Sequence, residues 1–229
     1  MATTGFRNAA VLWTGGKDSA LAHHEAGLAG YQITRLVTFA PENPDFLAHP
    51  LEVMRYQAQA LEIPHEVMQI YEPYDKSYST AISVLHEKQG IDVLVTGDIA
   101  EVDHQPNWIR ERSKGTGVEV LTPLWDYDRE YLLNRLISTG FKVIFSCVKS
   151  PWLTADWLGR EITREALEEL RMLNASTGLD ICGENGEFHT LTTHAPLFKK
   201  RIWIDYKPAS KGGMFYMRIQ KVSLQDMGT

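Results

Sequence analysis

The sequence predicts an α/β fold with a parallel sheet, followed by a smaller C-terminal α+β domain. Short apolar runs alternate with helix-like segments through residues 1–125, a pattern typical of a parallel sheet with crossover helices. Two adjacent glycines, Gly15 and Gly16, join the first strand to the first helix. The alternation ends near Trp125, so we assign residues 126–229 to the second domain.

The elements of the first domain follow from apolar runs and helix stop signals. Strands are predicted at residues 9–13, 33–39, 66–70, 93–96 and 119–121. Helices are predicted at residues 19–29, 50–61, 75–89 and 104–114. Asp75 is expected to cap the third helix, which should end at Gly90.

The second domain has a different order of elements. A helix at residues 128–139 should end at Gly140, and a strand is predicted at residues 142–148. Thr163 is the expected cap of a helix at residues 163–177. Alternating apolar and polar residues in 201–206 and 214–222, on either side of Lys211-Gly212-Gly213, predict a hairpin.

Composition and charge exclude several classes of protein. The net charge of -6 disfavours a nucleic-acid partner, because such binding requires clustered cations. No apolar stretch approaches membrane-spanning length, and no signal-peptide core is present, so we expect a cytoplasmic protein with no membrane partner. Two cysteines, Cys147 and Cys182, cannot form a disulfide framework or a structural zinc site and are expected to be buried thiols.

The glycine loop at residues 14–19, Thr-Gly-Gly-Lys-Asp-Ser, has the features of a phosphate site. Glycine permits a close approach of the backbone, and the N-terminus of the following helix attracts anions. Lys17 adds a full positive charge. The loop is not a Walker A motif, and no dinucleotide fingerprint follows a predicted strand. The alternative is a tight turn in which Asp18 caps the helix.

A second polar cluster occupies residues 182–190, Cys-Gly-Glu-Asn-Gly-Glu-Phe-His-Thr. Its carboxylates, Glu184 and Glu187, could hold ammonium, a metal ion or a substrate amine, and His189 could move a proton near neutral pH. The alternative is a polar turn that leads into a strand, with Phe188 inward and Glu187 and His189 outward. We call residues 182–190 the acidic box.

The glycine loop resembles the S-G-G-x-D-S loop of the ATP pyrophosphatases, with Thr14 in place of the first serine. These enzymes cleave ATP to AMP and pyrophosphate. The resemblance implies an adenine nucleotide alpha hydrolase-like (HUP-type) fold and the use of ATP and Mg2+. It also implies that pyrophosphate is bound by Thr14, Gly15, Gly16 and Ser19. Asp18 would bind magnesium, and Lys17 would neutralise the leaving group.

Further segments, at residues 123–125, 158–159, 183–190 and 196–198, resemble the diphthine–ammonia ligase-like branch of this family, up to about residue 202. That resemblance implies that ATP activates a carboxylate as an acyl-adenylate and that ammonia then displaces AMP. The implied catalytic residues are Lys17, Asp18, Glu184, Glu187 and His189. The substrate would be a small-molecule or protein-borne carboxylate, and the sequence is compatible with a homo-oligomer.

Two departures from the branch leave the substrate open. The acidic box has His189 where the diphthine-acting enzymes have a glutamate, and Asp98 stands where they have an alanine. Both departures resemble a bacterial sub-branch linked to cobalamin metabolism, so a cobalamin-related carboxylate is one hypothesis. Asp98 follows a predicted strand and is a candidate magnesium ligand or turn residue. The alternatives are a tRNA base-modifying ATP pyrophosphatase and a non-catalytic ATP sensor.

Overall fold

The computed structural model describes residues 7–101 and 107–227. Its first sheet has five parallel strands in the order β3-β2-β1-β4-β5. The strands are β1 (Asn8–Leu12), β2 (Gln32–Ala40), β3 (His65–Gln69), β4 (Val93–Val95) and β5 (Glu119–Leu121). The helices of this part of the chain are α1 (Lys17–Leu28), α2 (Leu51–Leu61), α3 (Tyr74–Gln89) and α4 (Trp108–Ser113). The predicted parallel α/β sheet is confirmed.

Strand β1 lies at the point where the strand order reverses, with β2 on one side and β4 on the other. Ligands of open α/β sheets bind at the carboxyl ends of the strands at this reversal. The segments after β1 and β4 are the glycine loop and Thr96–Asp98. The topology therefore brings both segments to the edge of the sheet where binding is expected.

The second sheet has four antiparallel strands in the order β7-β6-β9-β8. They are β6 (Lys142–Lys149), β7 (Phe188–His194), β8 (Lys200–Lys211) and β9 (Met214–Asp226). Two helices accompany them, α5 (Arg129–Thr139) and α6 (Arg164–Thr177), with a single 3-10 turn at Ala155–Trp157. The predicted hairpin corresponds to β8 and β9, and the predicted α+β character of this region is confirmed.

The chain forms two compact units whose composition differs from a single division of the sequence. The first consists of Met1–Thr14, Asp18–Pro44 and Ile63–Asp126, and contains the parallel sheet. The second consists of Gly15–Lys17, Asp45–Glu62 and Tyr127–Thr229, and contains the antiparallel sheet. Helix α2 belongs to the second unit, where it contacts β8 and β9.

Each unit has an apolar interior. In the first, buried residues of β1, β2 and β4 pack with Ile82 and Leu85 of α3. In the second, Phe145 of β6 contacts the rings of Trp157 and Phe188. Both cysteines are buried free thiols, as predicted. Within the described residues, no helix is both long and apolar enough to cross a bilayer.

Most of the predicted helix ends agree with the structure. Thr163 caps α6 through a hydrogen bond from a backbone N–H group, as predicted, and Asp128 caps α5 in the same way. The predicted Asp75 cap is wrong: Pro73 occupies the N-cap without a side-chain bond, and Asp75 lies in the first turn. Helix α4 is shorter than predicted; residues 104–106 of that prediction lie outside the described residues.

His23 of α1 is expected to make the stability of the fold depend on pH. It is buried, with its ring at the edge of Trp13. Burial, with a smaller contribution from His24, lowers the pKa of His23 from 6.5 to about 4. The unfolded chain therefore takes up this proton first, and about 3 kcal/mol of stability is lost as pH falls from about 6.5 to about 4. Replacing His23 by Leu should reduce the stability difference between pH 7 and pH 4, measured by urea unfolding, by that amount.

The variant His24→Gln, one residue along the helix, is the control and should keep most of the pH-dependent loss. An unchanged pH dependence in His23→Leu would show that other groups cause it.

Candidate active site

The glycine loop turns directly from β1 into α1. Gly15 has a positive φ of 75°, which glycine adopts without strain. The hydroxyl of Thr14 donates a hydrogen bond of 3.1 Å to the Ser19 hydroxyl, which links the two ends of the loop. Gly16 is buried, and Lys17 is the first residue of the helix. The loop thus places a helix N-terminus and a lysine at the end of a central strand, as the sequence predicted.

Gln57 of α2 fixes the position of Gly15. Its side chain is fully buried, and its amide nitrogen donates to the carbonyl oxygens of Gly15 and Thr192, both at 2.8 Å. The backbone N–H of Thr192 donates to the same Gly15 oxygen at 2.8 Å. A β-carbon at position 15 would lie 2.3 Å from the Gln57 side-chain oxygen. Glycine is therefore required here by space as well as by backbone conformation.

Lys17 belongs to the second unit, and other residues of that unit contact both its backbone and its side chain. Its backbone N–H donates to the Thr190 hydroxyl at 3.0 Å. Its side chain is only 4% exposed, with Nζ 3.7 Å from Oε1 of Glu184 and 6.0 Å from the centre of the Phe188 ring. The lysine of the glycine loop and a carboxylate of the acidic box are therefore in contact within one compact unit.

Glu184 lies in a positively charged environment, and its side chain is 27% exposed. Besides Lys17, it is within electrostatic reach of Arg129. Burial lowers the pKa of Arg129. The hydrogen bond and the charge of Asp180, together with the charge of Glu184, outweigh this effect, so the pKa of Arg129 is raised. The two cations offset the charge of this carboxylate, and its exposed part can accept hydrogen bonds from an amine-bearing reactant.

Glu187 organises the acidic box from inside. Its side chain is 1% exposed, which does not fit the alternative in which Glu187 points outward. One carboxylate oxygen accepts from the backbone N–H of Asp180 at 2.9 Å and from the Asn185 side chain at 3.2 Å. The other accepts from the backbone N–H of Asn185 at 3.0 Å. These bonds tie the turn together, so the geometry favours a positioning role for Glu187.

His189 follows Phe188 on β7 and is half-buried. Its ring meets the edge of His49, with centroids 5.3 Å apart and planes at 78°. His49 lies just before α2, and the carbonyl of the preceding Ala48 accepts a hydrogen bond of 2.8 Å from Ser146. The site therefore contains a second histidine that the sequence analysis did not identify.

In the first unit, Asp98 lies beside the start of α1. Its Oδ2 accepts hydrogen bonds from Thr96 at 2.7 Å and from Asn107 at 2.6 Å. A β-carbon on Gly97 would lie 2.7 Å from the backbone carbon of Asp18, so the two segments are closely packed. Among residues 7–101 and 107–227, no group of three or more His, Cys, Asp or Glu side chains is arranged to hold a metal ion.

The family of the chain follows from comparison with known proteins. The family model described as diphthamide synthase N-terminal domain matches residues 7–120, and that of the diphthamide synthase C-terminal domain matches residues 128–224. The chain belongs to this family. The resemblance to diphthine–ammonia ligase-like enzymes is confirmed, and so is the prediction of an ATP-dependent, amide-forming ligase.

Relatives of this family cover most of the chain. The diphthine--ammonia ligases of Mus musculus and Homo sapiens are each 26% identical to it over 95% of its length and 92% of theirs. The diphthine--ammonia ligase of Schizosaccharomyces pombe is 27% identical over 91% of this chain but only 38% of that protein.

A solved structure described as a predicted subunit of a tRNA methyltransferase from Methanocaldococcus jannaschii is also similar. Its TM-score is 0.48 and its identity is 17%, over 83% of this chain and 98% of that one.

Gln57 should control nucleotide binding through Gly15. Replacing it by Met keeps the volume but removes both donated hydrogen bonds, so the Gly15 oxygen keeps only the bond from Thr192. The loss of each bond costs about 0.5–1.5 kcal/mol. We expect the Kd for ATP, measured by calorimetry, to rise about tenfold or more, and the unfolding midpoint to fall. Gln59→Met, at an exposed position of the same helix, is the matched control and should behave like the unmodified protein. Equal ATP affinity in the two variants would contradict this role of Gln57.

Proposed function

We propose that this enzyme transfers the adenylyl group of ATP to a substrate carboxylate and then replaces AMP with ammonia. The observation that carries the proposal is the contact of Lys17 with Glu184, 3.7 Å apart. It joins the glycine loop, suited to phosphates, to an acidic box suited to an amine. Ligation by way of an adenylate needs both kinds of group at one place.

The glycine loop binds the phosphates of ATP. The N-terminal amides of α1 and the charge of Lys17 favour an anion there. In the first step, a carboxylate oxygen attacks the α-phosphorus, the bond from that phosphorus to the bridging oxygen breaks, and pyrophosphate leaves with the electron pair. Lys17 stabilises the negative charge that develops on pyrophosphate.

Magnesium is assigned to Asp18 and Asp98. Mg2+ is usually held by one or two carboxylates together with substrate phosphates, rather than by a protein cage. The donor set on this edge of the first unit fits that pattern, because both residues carry carboxylates and the Gly97 backbone packs against Asp18. When bound, the ion neutralises phosphate charge and orients the triphosphate.

The acidic box prepares the nitrogen nucleophile. Glu184 attracts ammonium, and His189 accepts the proton that ammonium must lose before it can attack. Ammonia then adds to the acyl carbon, the bond to AMP breaks with its electron pair leaving on AMP, and the amide nitrogen gives a second proton to water. Glu187 holds the turn from which Glu184 projects, and His49 contacts the ring of His189.

The substrate is proposed as a carboxylate of the diphthine type, because the relatives are named diphthine--ammonia ligase. The comparisons give no support to a cobalamin-related carboxylate. We assign nucleotide binding to residues 1–125 and acceptor binding to residues 126–229. Cytoplasmic localisation and a homo-oligomer remain predictions.

The products of the reaction test this function. The protein is incubated with ATP, Mg2+, 15N-ammonium and a diphthine-bearing protein, and phosphorus NMR identifies the nucleotide products. We expect AMP and pyrophosphate in equal amounts, with 15N in the new amide. Lys17→Ala should lower kcat/KM about 100-fold or more, because it removes charge stabilisation of the leaving group. Lys76→Ala, at an exposed position of α3, is the charge-matched control and should leave the rate unchanged.

Formation of ADP and phosphate would contradict the proposal, and so would full activity of Lys17→Ala. ATP binding without cleavage, with every acceptor supplied, would favour the sensor alternative.

A further inference from the structure

We propose that the second compact unit binds a small molecule carrying a phosphate group, in a cavity at the end of β7 remote from the acidic box. The cavity has a volume of about 390 Å³ and is lined by Lys142, His194, Arg201, Gln225, Asp226 and Met227. Binding pockets for small molecules have volumes of about 300–1,000 Å³. None of the lining residues takes part in the proposed ligase reaction, so this site goes beyond it.

The cavity exists because the antiparallel sheet separates into two ribbons. Strands β6 and β9 pair only from Cys147–Tyr216 to Lys149–Met214. At the other end of β6, Lys142 pairs with His194 of β7. Strand β8 continues to pair with β9 there, with Arg201 opposite Gln225. The ends of the two ribbons thus form facing walls, and their side chains line the space between them.

His194 lines the cavity together with two cations, Lys142 and Arg201. Its ring meets the edge of the buried Phe198, with centroids 6.4 Å apart. Its Nδ1 is enclosed and has no hydrogen-bond partner among the described residues. Burial, and then the positive charges of Arg201 and Lys142, lower the pKa of His194. A bound anion would offset these charges and favour the protonated imidazole.

The other charged residues at the cavity form ion pairs, so the guanidinium group of Arg201 is available to bind a ligand. Lys142 pairs with Glu161 at 2.8 Å, and Lys200 pairs with Asp226 at 3.2 Å. Within the part of the chain that the structure describes, no ion pair includes Arg201. A guanidinium group matches the geometry of phosphate oxygens with two parallel hydrogen bonds. The lining is thus net positive in a chain whose net charge is -6.

The size and lining of the cavity indicate an organic phosphate. A volume of about 390 Å³ exceeds what a phosphate group alone would fill. The amide of Gln225, the carboxylate of Asp226 and the thioether of Met227 provide contacts for a polar organic body. The site is also separate from the proposed catalytic residues of the acidic box, because His194 lies five residues beyond His189 on β7, a distance of about 17 Å at the rise of an extended strand.

Side-chain NMR of His194 tests the proposal. The pKa of His194 is measured with inorganic phosphate, with glycerol phosphate and with chloride at equal ionic strength. We expect both phosphates, but not chloride, to raise this pKa, and glycerol phosphate to bind more tightly. Arg201→Gln should weaken phosphate binding about tenfold or more, since it removes charge-assisted hydrogen bonds. Lys221→Gln, which removes the same charge from an exposed position of β9, should bind phosphate normally.

Equal effects of phosphate and chloride would overturn the proposal, as would normal phosphate binding by Arg201→Gln. Lys17→Ala separates this site from the glycine loop. The His194 response should persist in that variant, and its loss would place the anion at the loop instead. Because the readout is a histidine pKa and not turnover, the result is independent of whether the ligase reaction is correct.

Discussion

The carbonyl oxygen of Gly15 accepts two hydrogen bonds, one from the buried Gln57 amide and one from the backbone of Thr192. The candidate active site depends on this interaction. With the carbonyl fixed and Lys17 bonded to Thr190, residues 15–17 have one position relative to β7 within the second unit. Hydrogen bonds in a buried environment are costly to break without replacement. The loop is therefore held in place before nucleotide binds, and little ordering remains to oppose binding.

The same arrangement determines the electrostatics of Lys17. An ammonium group that is almost fully buried requires a nearby carboxylate, and Glu184 provides it. Phosphate oxygens entering the loop would compete with Glu184 for this lysine. Release of the carboxylate would then couple nucleotide binding to the availability of Glu184 for the amine, with Arg129 as its remaining cationic neighbour. Lys17 would thereby serve both half-reactions.

The sequence predicted the parallel sheet well, because each strand and each helix has its own local pattern of apolar residues and their alternation is typical of such a sheet. It also predicted the glycine loop and the acidic box, whose residue types are unusual.

The sequence did not identify Gln57, although one signal was present: the buried face of α2 is otherwise formed by apolar residues such as Val53, Met54 and Leu61. His49 was missed because its partner, His189, is distant in sequence. Long-range contacts of this kind carry no local pattern. The Asp75 cap failed because the helix begins at Tyr74, with Pro73 at the N-cap position two residues before Asp75.

A crystal structure with the non-hydrolysable analogue α,β-methylene-ATP and Mg2+ would show whether the glycine loop binds the phosphates of ATP. We expect the phosphates to contact the backbone amides of residues 15–19. We also expect Nζ of Lys17 to lie within about 3 Å of a phosphate oxygen and farther from Glu184 than the present 3.7 Å. An analogue bound with its phosphates away from this loop, and Lys17 still paired with Glu184, would contradict this expectation.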